Sequence, residues 1–285
     1  MIEIIKVESK DQEREFVMFP FSLYKGCDYW VPPIISEELE SMDKEKNPVF
    51  ENAEAEFYIA KKDGVTVGRI AAMVNWVEIE EQKKNKLRFG WYDTIDDLEV
   101  SKKLLESVIE FGKKRKLEFV DGPVGFSNMD KAGLLIDGYE ELNTMITWYH
   151  YPYQKEHLKK LGFSKLAEWV EYKIKIFSAE DAPEKVKKFS KIIQQRYELK
   201  VLNFKSRKEI IPYVDKMFEL LNVTYSNLQT YVTIKQYQID FYKEKFIKYI
   251  HPDFIKCCLD KDDNLIAFLI TMPSFSRALK KINGK

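Results

Sequence analysis

Cysteine is scarce in this chain of 285 residues, and its three copies have no regular spacing. Cys27 stands alone, whereas Cys257 and Cys258 are adjacent, so the sequence offers neither a disulfide framework nor the paired spacing of metal ligands. We therefore expect a reduced, intracellular setting and no bound metal. The adjacent pair is most simply interpreted as part of a buried strand.

Long apolar runs are also missing. No run approaches the ~18–20 residues that a membrane-spanning helix needs. The first ten residues, MIEIIKVESK, lack the apolar centre of a signal peptide. These two absences predict a soluble, cytoplasmic protein without a membrane partner.

A net charge is absent too, because 46 basic residues balance 46 acidic ones. The balance is uneven along the chain: residues 1–176 carry 26 basic and 33 acidic side chains, and residues 177–285 carry 20 and 13. The positive part is the better place for a phosphate-bearing ligand, although two solvated surfaces of different composition explain the difference equally well. The basic density is too low to predict a nucleic-acid partner.

The residues that are present predict a regular alternation of strands and helices. In chain order these are a strand at 2–7, a helix capped by Ser9 that runs to Tyr24, a hairpin within 56–75, a strand at 87–94, a helix at 98–116 and a short strand at 118–120. The hairpin turn is Lys62-Asp63-Gly64, a strong turn signal. The segment 121–147 that follows is too long for an ordinary connection and is either a lid or a structural flap.

The stretch Tyr149–Ile176 closes this first series of elements. It begins with Tyr149, Tyr151 and Tyr153, continues as a short amphipathic helix, and reaches Gly162, where a left-handed residue is expected to end the helix. An alternating strand is expected next. Its apolar positions are Trp169, Tyr172, Ile174 and Ile176.

The order β-α-β-β-β-α-β, closed by a helix, Leu-Gly-Phe and a strand, resembles the GNAT (N-acetyltransferase) superfamily. The stretches FGWYDTIDD, GPVGFSNMDKAG and YHYPYQKEHLKKLGF resemble bacterial tandem-GNAT proteins of the YghO type. The resemblance implies an α+β fold with a mixed sheet. It also implies an acyl-CoA-dependent N-acyltransferase, with acetyl-CoA or another acyl-CoA as co-substrate and a small molecule or amine as acceptor.

The second part of the chain repeats the opening pattern. A strand at 201–204, a helix from Ser206 to Val223, a helix at 235–250 and a hairpin within 254–272 are expected. We therefore predict a GNAT-like domain at 1–177 and the N-terminal part of a second one at 178–285, which we expect to be truncated. Oligomeric state is not predicted.

The resemblance also suggests site residues. GNAT enzymes keep a tyrosine general acid near the closing helix, which points to Tyr151 and Tyr153, with packing as their alternative role. His150 is a candidate general base or a hydrogen-bonded structural residue. Candidates for substrate contacts are Asp93 before the second helix, and Asn128 and Asp130 in the long segment.

One GNAT feature has no counterpart. The superfamily holds the pyrophosphate of acyl-CoA in a Gly-x-Gly/Ala loop that opens a helix, and this chain has no Gly-x-Gly. At that place it has Thr94-Ile95-Asp96-Asp97-Leu98-Glu99, whose carboxylates suit helix capping and repel a pyrophosphate. The alternatives are therefore a non-catalytic GNAT-shaped binding module or an aminoacyl-tRNA-dependent transferase.

Overall fold

The computed structural model describes residues 1–175, 178–228, 230–246 and 250–285. The chain divides into two units, one formed by Met1–Glu168 with Ser274–Lys285 and the other by Trp169–Pro273.

The first unit contains most of the predicted elements. Its strands are β1 Ile2–Lys6, β2 Ala53–Lys62, β3 Val65–Asn75, β4 Lys86–Thr94 and β5 Phe119–Asp121, and its helices are α1 Lys10–Leu23, α2 Ile35–Met42, α3 Trp76–Glu80, α4 Leu98–Lys114 and α5 Pro152–Lys160. Ser9 caps α1 as predicted, accepting from the amide of Gln12. Gly162 has a φ of +89°, which confirms the predicted left-handed end of α5.

The five strands form one sheet in the order β1-β2-β3-β4-β5. Pairing is antiparallel from β1 to β4, whereas β5 is parallel to β4. This arrangement confirms the predicted α+β fold with a mixed sheet. One face packs against α4 around Leu104 and Val108, and the other packs against α1 around Phe16 and Val17.

Strand β4 is bent by a β-bulge. Ala71 of β3 pairs with Gly90 and Arg69 pairs with Asp93, so two residues of β4, Trp91 and Tyr92, oppose a single residue of β3. Trp91, the first residue of the bulge, has a φ of +47°, the left-handed conformation found at this position in G1 bulges. Bulges redirect the side chains that follow them, and here the next residue is Asp93.

Strands β4 and β5 pair only over their first three residues, Lys86–Arg88 with Phe119–Asp121. The chain after β5 stays close for one more step, since the Val124 amide donates to the Phe89 carbonyl at 2.8 Å. A Cβ at Gly90 would lie 2.5 Å from the Val124 carbonyl, so only glycine permits this approach. Beyond Gly90 no strand among the described residues pairs with the second half of β4 on that side.

A buried network of charges lies where β4 and β5 are still paired. Glu78 accepts two hydrogen bonds from the Arg88 guanidinium, at 2.7 and 2.8 Å, and lies 3.1 Å from the Lys86 ammonium. Lys86 also binds Asp121 at 2.8 Å, and Arg88 donates to the carbonyl of Gly125. Two cations and two carboxylates thus balance each other and join α3, β4 and β5.

The second unit is described separately. Its strands β6 Lys200–Asn203, β7 Ile255–Leu259 and β8 Leu265–Ile270 form an antiparallel sheet in that order, and its helices are α6 Glu184–Arg196, α7 Arg207–Tyr225 and α8 Gln236–Phe246. Ile210, Val214 and Met217 of α7 pack on the sheet at Ile255 and Cys257. The predicted placement of the cysteine pair in a strand is confirmed by β7. The prediction of a helix at 235–250 includes residues 247–249, which lie outside the described residues.

The strand predicted after α5 is wrong for the residues that the structure describes. Residues 164–175 have no regular secondary structure, and Trp169, Tyr172 and Ile174 are exposed. Ile176, the last position of that prediction, lies outside the described residues. An alternating pattern forms a strand only when a neighbouring strand accepts its hydrogen bonds, and no strand in the described part of the chain pairs with residues 164–175.

Residues 274–285 belong to the first unit. They form α9, Ser276–Ile282, whose Ser276 hydroxyl donates to the carbonyl of Asn143 at 2.8 Å. The amide of Ile35 donates to the carbonyl of Gly284 at 3.0 Å. The proposed boundary between 1–177 and 178–285 stays a prediction.

Capping of α4 by Asp97 is confirmed and gives a first testable expectation. The Asp97 carboxylate accepts from the Glu99 amide at 3.0 Å and binds the Lys62 ammonium at 3.0 Å. We expect Asp97→Ala to lower the free energy of unfolding by about 1 kcal/mol, because an amide of the first turn loses its acceptor. Asp97→Asn keeps an acceptor and should change it by less than half as much. Urea unfolding of both variants measures this difference, and equal losses would contradict the capping role.

Candidate functional site in the first unit

The candidate site lies beside the second half of β4, which β5 does not reach. Two residues of α5 bind the backbone of β4 there. The Tyr153 hydroxyl donates to the Thr94 carbonyl at 2.6 Å, and the side-chain amide of Gln154 donates to the Tyr92 carbonyl at 3.2 Å. The α5 side chains thereby replace the hydrogen bonds that a neighbouring strand would have made.

Asp93, which follows the bulge, is the centre of a buried polar cluster. Its two carboxylate oxygens accept from the Tyr24 hydroxyl at 2.6 Å and from the Arg69 guanidinium at 2.8 Å. Arg69 also donates to the carbonyl of Phe16 and lies over the Phe16 ring at 5.0 Å. Burial, followed by the negative charge of Asp93, raises the pKa of Tyr24 well above its usual range. We call Tyr24, Arg69 and Asp93 the buried cluster.

A cavity of about 20 Å³, roughly the size of one water molecule, borders the buried cluster. Its walls also include Trp30, Glu38, Lys131 and Trp148. The Lys131 ammonium makes no hydrogen bond or ion pair within the described part of the chain, and burial lowers its pKa. The cavity therefore combines charged groups of both signs with aromatic walls.

The predicted tyrosines meet at this site. Tyr151 stacks on Tyr153 with 5.7 Å between ring centroids and lies 5.2 Å from the Tyr24 ring. Its hydroxyl makes no hydrogen bond to any described residue, whereas the hydroxyl of Tyr153 is already bound to Thr94. Burial raises the pKa of both hydroxyls. The Tyr151 hydroxyl therefore keeps its proton and donates it in no hydrogen bond to a described residue.

His150 is fully buried and hydrogen-bonded on both sides. Its Nδ1 accepts from the Leu135 amide at 3.2 Å, and it also bonds the backbone of Tyr92. Burial lowers the pKa of the imidazole to about 4. The ring is therefore neutral near pH 7, and it connects the long segment to β4. Its predicted role as a general base stays a prediction.

The buried imidazole makes stability depend on pH. Its pKa is about 6.5 in an unfolded chain and about 4 in the folded one, so its contribution is complete above pH 6.5 and is lost as the pH falls towards 4. We expect the wild type to lose about 3 kcal/mol more unfolding free energy over that interval than His150→Gln. His251→Gln, at an exposed histidine, should keep the wild-type pH profile. Denaturant unfolding across this interval provides the measurement, and a wild-type slope in His150→Gln would contradict it.

Asn128 and Asp130 lie in an exposed turn of the long segment. Asp130 accepts from the amide and the hydroxyl of Ser127, at 2.9 and 3.3 Å, which closes that turn. Their predicted contacts with substrate stay predictions.

The structure brings together four of the residues predicted from the sequence, namely Asp93, His150, Tyr151 and Tyr153. It adds four that were not predicted, namely Tyr24, Arg69, Lys131 and Gln154.

A second chain of polar groups nearby has the residue types of a catalytic triad. His157 lies 2.8 Å from the Ser101 hydroxyl and 3.2 Å from the Asp96 carboxylate. Ser101 has no exposed surface and accepts a further hydrogen bond from Tyr92. A substrate carbonyl cannot reach a hydroxyl in this position. The three residues instead connect α5 to α4.

The second unit has a larger groove, of about 450 Å³, at the end of α6. Its charged walls are Arg196, Glu198, Asp260 and Lys261, none of which is buried. Because buried polar groups converge in the first unit and not here, we place the candidate active site beside β4.

No protein-family model matches the chain. It is 25% identical over 280 residues to protein YghO of Escherichia coli K12, a match that covers 97% of this chain and 69% of YghO. It is 23% identical over 174 residues to bacterial ceramide synthase of Caulobacter vibrioides, which covers 60% of this chain and 45% of that protein. The chain thus spans less than half the length of that second relative.

Among solved structures, the chain is similar to a tandem GNAT protein from the clavulanic acid biosynthesis pathway. The identity is 10%, the TM-score is 0.44, and the match covers 96% of this chain and 76% of that protein. Within the described residues, no helix is long and apolar enough to cross a membrane. The similarity to YghO along nearly the whole chain confirms the predicted resemblance to bacterial tandem-GNAT proteins of the YghO type.

Proposed function

We propose that this protein is an N-acyltransferase that transfers an acyl group from an acyl-CoA thioester to an amine. The observation that carries the proposal is the opening beside β4, where the bulge and the end of pairing with β5 leave room for the Tyr151 ring next to Tyr24, with a hydroxyl that has no hydrogen-bond partner among the described residues. The similarity to bacterial ceramide synthase supports this chemistry, because a ceramide is the N-acyl derivative of a long-chain amino alcohol.

The proposed reaction requires an acid for the leaving thiolate and a deprotonated acceptor amine. Tyr151 is suited to the first task, since a raised pKa retains its proton and none of the described residues accepts a hydrogen bond from it. Tyr153 and Gln154 act as positioning residues that hold α5 against β4. We propose that the acceptor contacts the cavity beside Asp93. We also propose that Asn128 and Asp130, which lie in the long segment, contact the substrate.

The pyrophosphate of acyl-CoA does not fit the start of α4. The Asp97 carboxylate already accepts from the Glu99 amide, and the Asp97 carbonyl accepts from the amides of Val100 and Ser101. Asp96 and Glu99 add negative charge at the same end. We therefore assign no part of the coenzyme to this helix end.

That misfit favours a second candidate function, a GNAT-shaped binding module without catalysis. Calorimetric titration of the chain with acetyl-CoA distinguishes the two. Saturable binding is expected for the transferase. Absence of binding with acetyl-CoA and with a long-chain acyl-CoA would support the non-catalytic module.

Activity is tested by following release of free thiol from acyl-CoA in the presence of an amine panel. The panel should include a long-chain amino alcohol, a short diamine and an aminoglycoside. Amine-dependent release is expected with at least one acceptor, and release that is independent of every amine would contradict N-acyl transfer. The aminoacyl-tRNA-dependent alternative is covered by adding a charged tRNA as donor in a parallel reaction.

A further inference from the structure

The helix α6 of the second unit has an apolar face that no described residue of its unit buries. None of its residues is buried. The apolar side chains are about half exposed: Val186 at 58%, Phe189 at 51%, Ile192 at 44% and Ile193 at 47%. They recur at intervals of three and four residues, which places them on one side of the helix. We call these four residues the α6 apolar face.

The rest of α6 is strongly basic. The helix carries five cations, Lys185, Lys187, Lys188, Lys191 and Arg196, and one acidic residue, Glu184. Glu184 is bound to Lys187 at 3.0 Å. Lys185 and Lys188 form no ion pair within the part of the chain that the structure describes. At 100° per residue Lys188 borders the α6 apolar face, and Lys185 lies on the same side of the helix as Phe189, with its ammonium 5.9 Å from that ring.

We propose that α6 is an interfacial helix that docks on an anionic phospholipid surface. A short amphipathic helix with an aromatic and aliphatic face flanked by lysines lies in the plane of a bilayer, with its apolar side chains below the headgroups and its cations among the lipid phosphates. Charge complementarity selects this partner over a second copy of the chain, because pairing two α6 faces would bring two strongly basic helices together.

This inference departs from the sequence-based expectation of no membrane partner. That expectation depended on the length of apolar runs, which detects a spanning helix and not one that lies on the surface. The proposal does not depend on the proposed acyl transfer, since vesicle binding is measured without substrate. A lipid surface would, however, present long-chain amines to an enzyme of the proposed class.

The test is flotation of the full chain with phosphatidylcholine vesicles, with and without phosphatidylglycerol. We expect binding that requires the anionic lipid and weakens with added salt. Lys185→Gln with Lys188→Gln should lower the partition coefficient about 30-fold, on the basis of ~1 kcal/mol for each cation near the surface. Phe189→Ser with Ile193→Ser should abolish flotation.

The matched control is Lys205→Gln with Lys208→Gln, which removes two exposed cations from the same unit outside α6. This variant should bind as the wild type does, and circular dichroism of all variants establishes that they are folded. The proposal is overturned if the wild type does not float, or if the α6 variants and the control bind equally. Dimerisation that is lost in the Phe189/Ile193 variant, without vesicle binding, would mean that a second copy covers the face.

Discussion

Replacing Tyr151 with phenylalanine is expected to lower kcat for amide formation about 100-fold, the usual contribution of a positioned general acid. KM should change little, since the ring keeps its stacking on Tyr153 and its tilted contact with Tyr24. Thermal stability should also be unchanged, because the Tyr151 hydroxyl makes no hydrogen bond within the described residues. Steady-state kinetics with the acceptor found in the amine panel provides the measurement.

Two tyrosine variants serve as controls for this result. Tyr172→Phe changes an exposed tyrosine of the second unit and should leave both activity and stability as they are. Tyr153→Phe removes the hydrogen bond to Thr94 and should lower unfolding free energy by about 1 kcal/mol. If Tyr153→Phe loses activity without losing stability, and Tyr151→Phe retains full kcat, the assignment of the acid is wrong.

Glu78→Gln is expected to produce the largest loss of stability, about 3–5 kcal/mol of unfolding free energy. The substitution keeps the shape of the side chain but removes the negative charge that Arg88 and Lys86 share. Both cations are almost fully buried, so neither can recover hydration from solvent. Chemical unfolding followed by tryptophan fluorescence measures the change.

The exposed pair Glu110 and Lys114 provides the comparison. It has a similar separation, 2.9 Å, but both side chains are more than two-thirds exposed. Glu110→Gln should therefore change stability by less than about 0.5 kcal/mol. Similar losses for Glu78→Gln and Glu110→Gln would show that burial does not determine the strength of the network.

Local signals in the sequence were sufficient for much of the first unit. The capping pattern after Ser9, the turn at Asp63-Gly64 and the glycine at 162 each depend on interactions among near neighbours, and each is found in the structure. The order of these elements resembles that of the GNAT superfamily, and that resemblance implied the mixed sheet. Asp97 could be assigned as a cap because the residues it binds follow it directly in the chain.

The features that were missed depend on distant residues. Whether the segment at 169–175 becomes a strand depends on a partner strand, which its own alternation does not supply. Arg69 and Tyr24 resembled ordinary strand and helix residues, and only the bulge at Trp91 brings Asp93 between them. The contact between the Gln154 amide and β4 was not predicted, because in the sequence Gln154 has only the appearance of a helix-capping residue.

The most direct test of the central claim is mass spectrometry of the acceptor after incubation with the chain and an acyl-CoA labelled in the acyl group. N-acyl transfer predicts that the amine gains the labelled acyl group in an amide bond, and that Tyr151→Phe slows this gain while Tyr172→Phe does not. Free labelled acid with no acylated amine, or equal product from wild type and Tyr151→Phe, would contradict an acyltransferase centred on Tyr151.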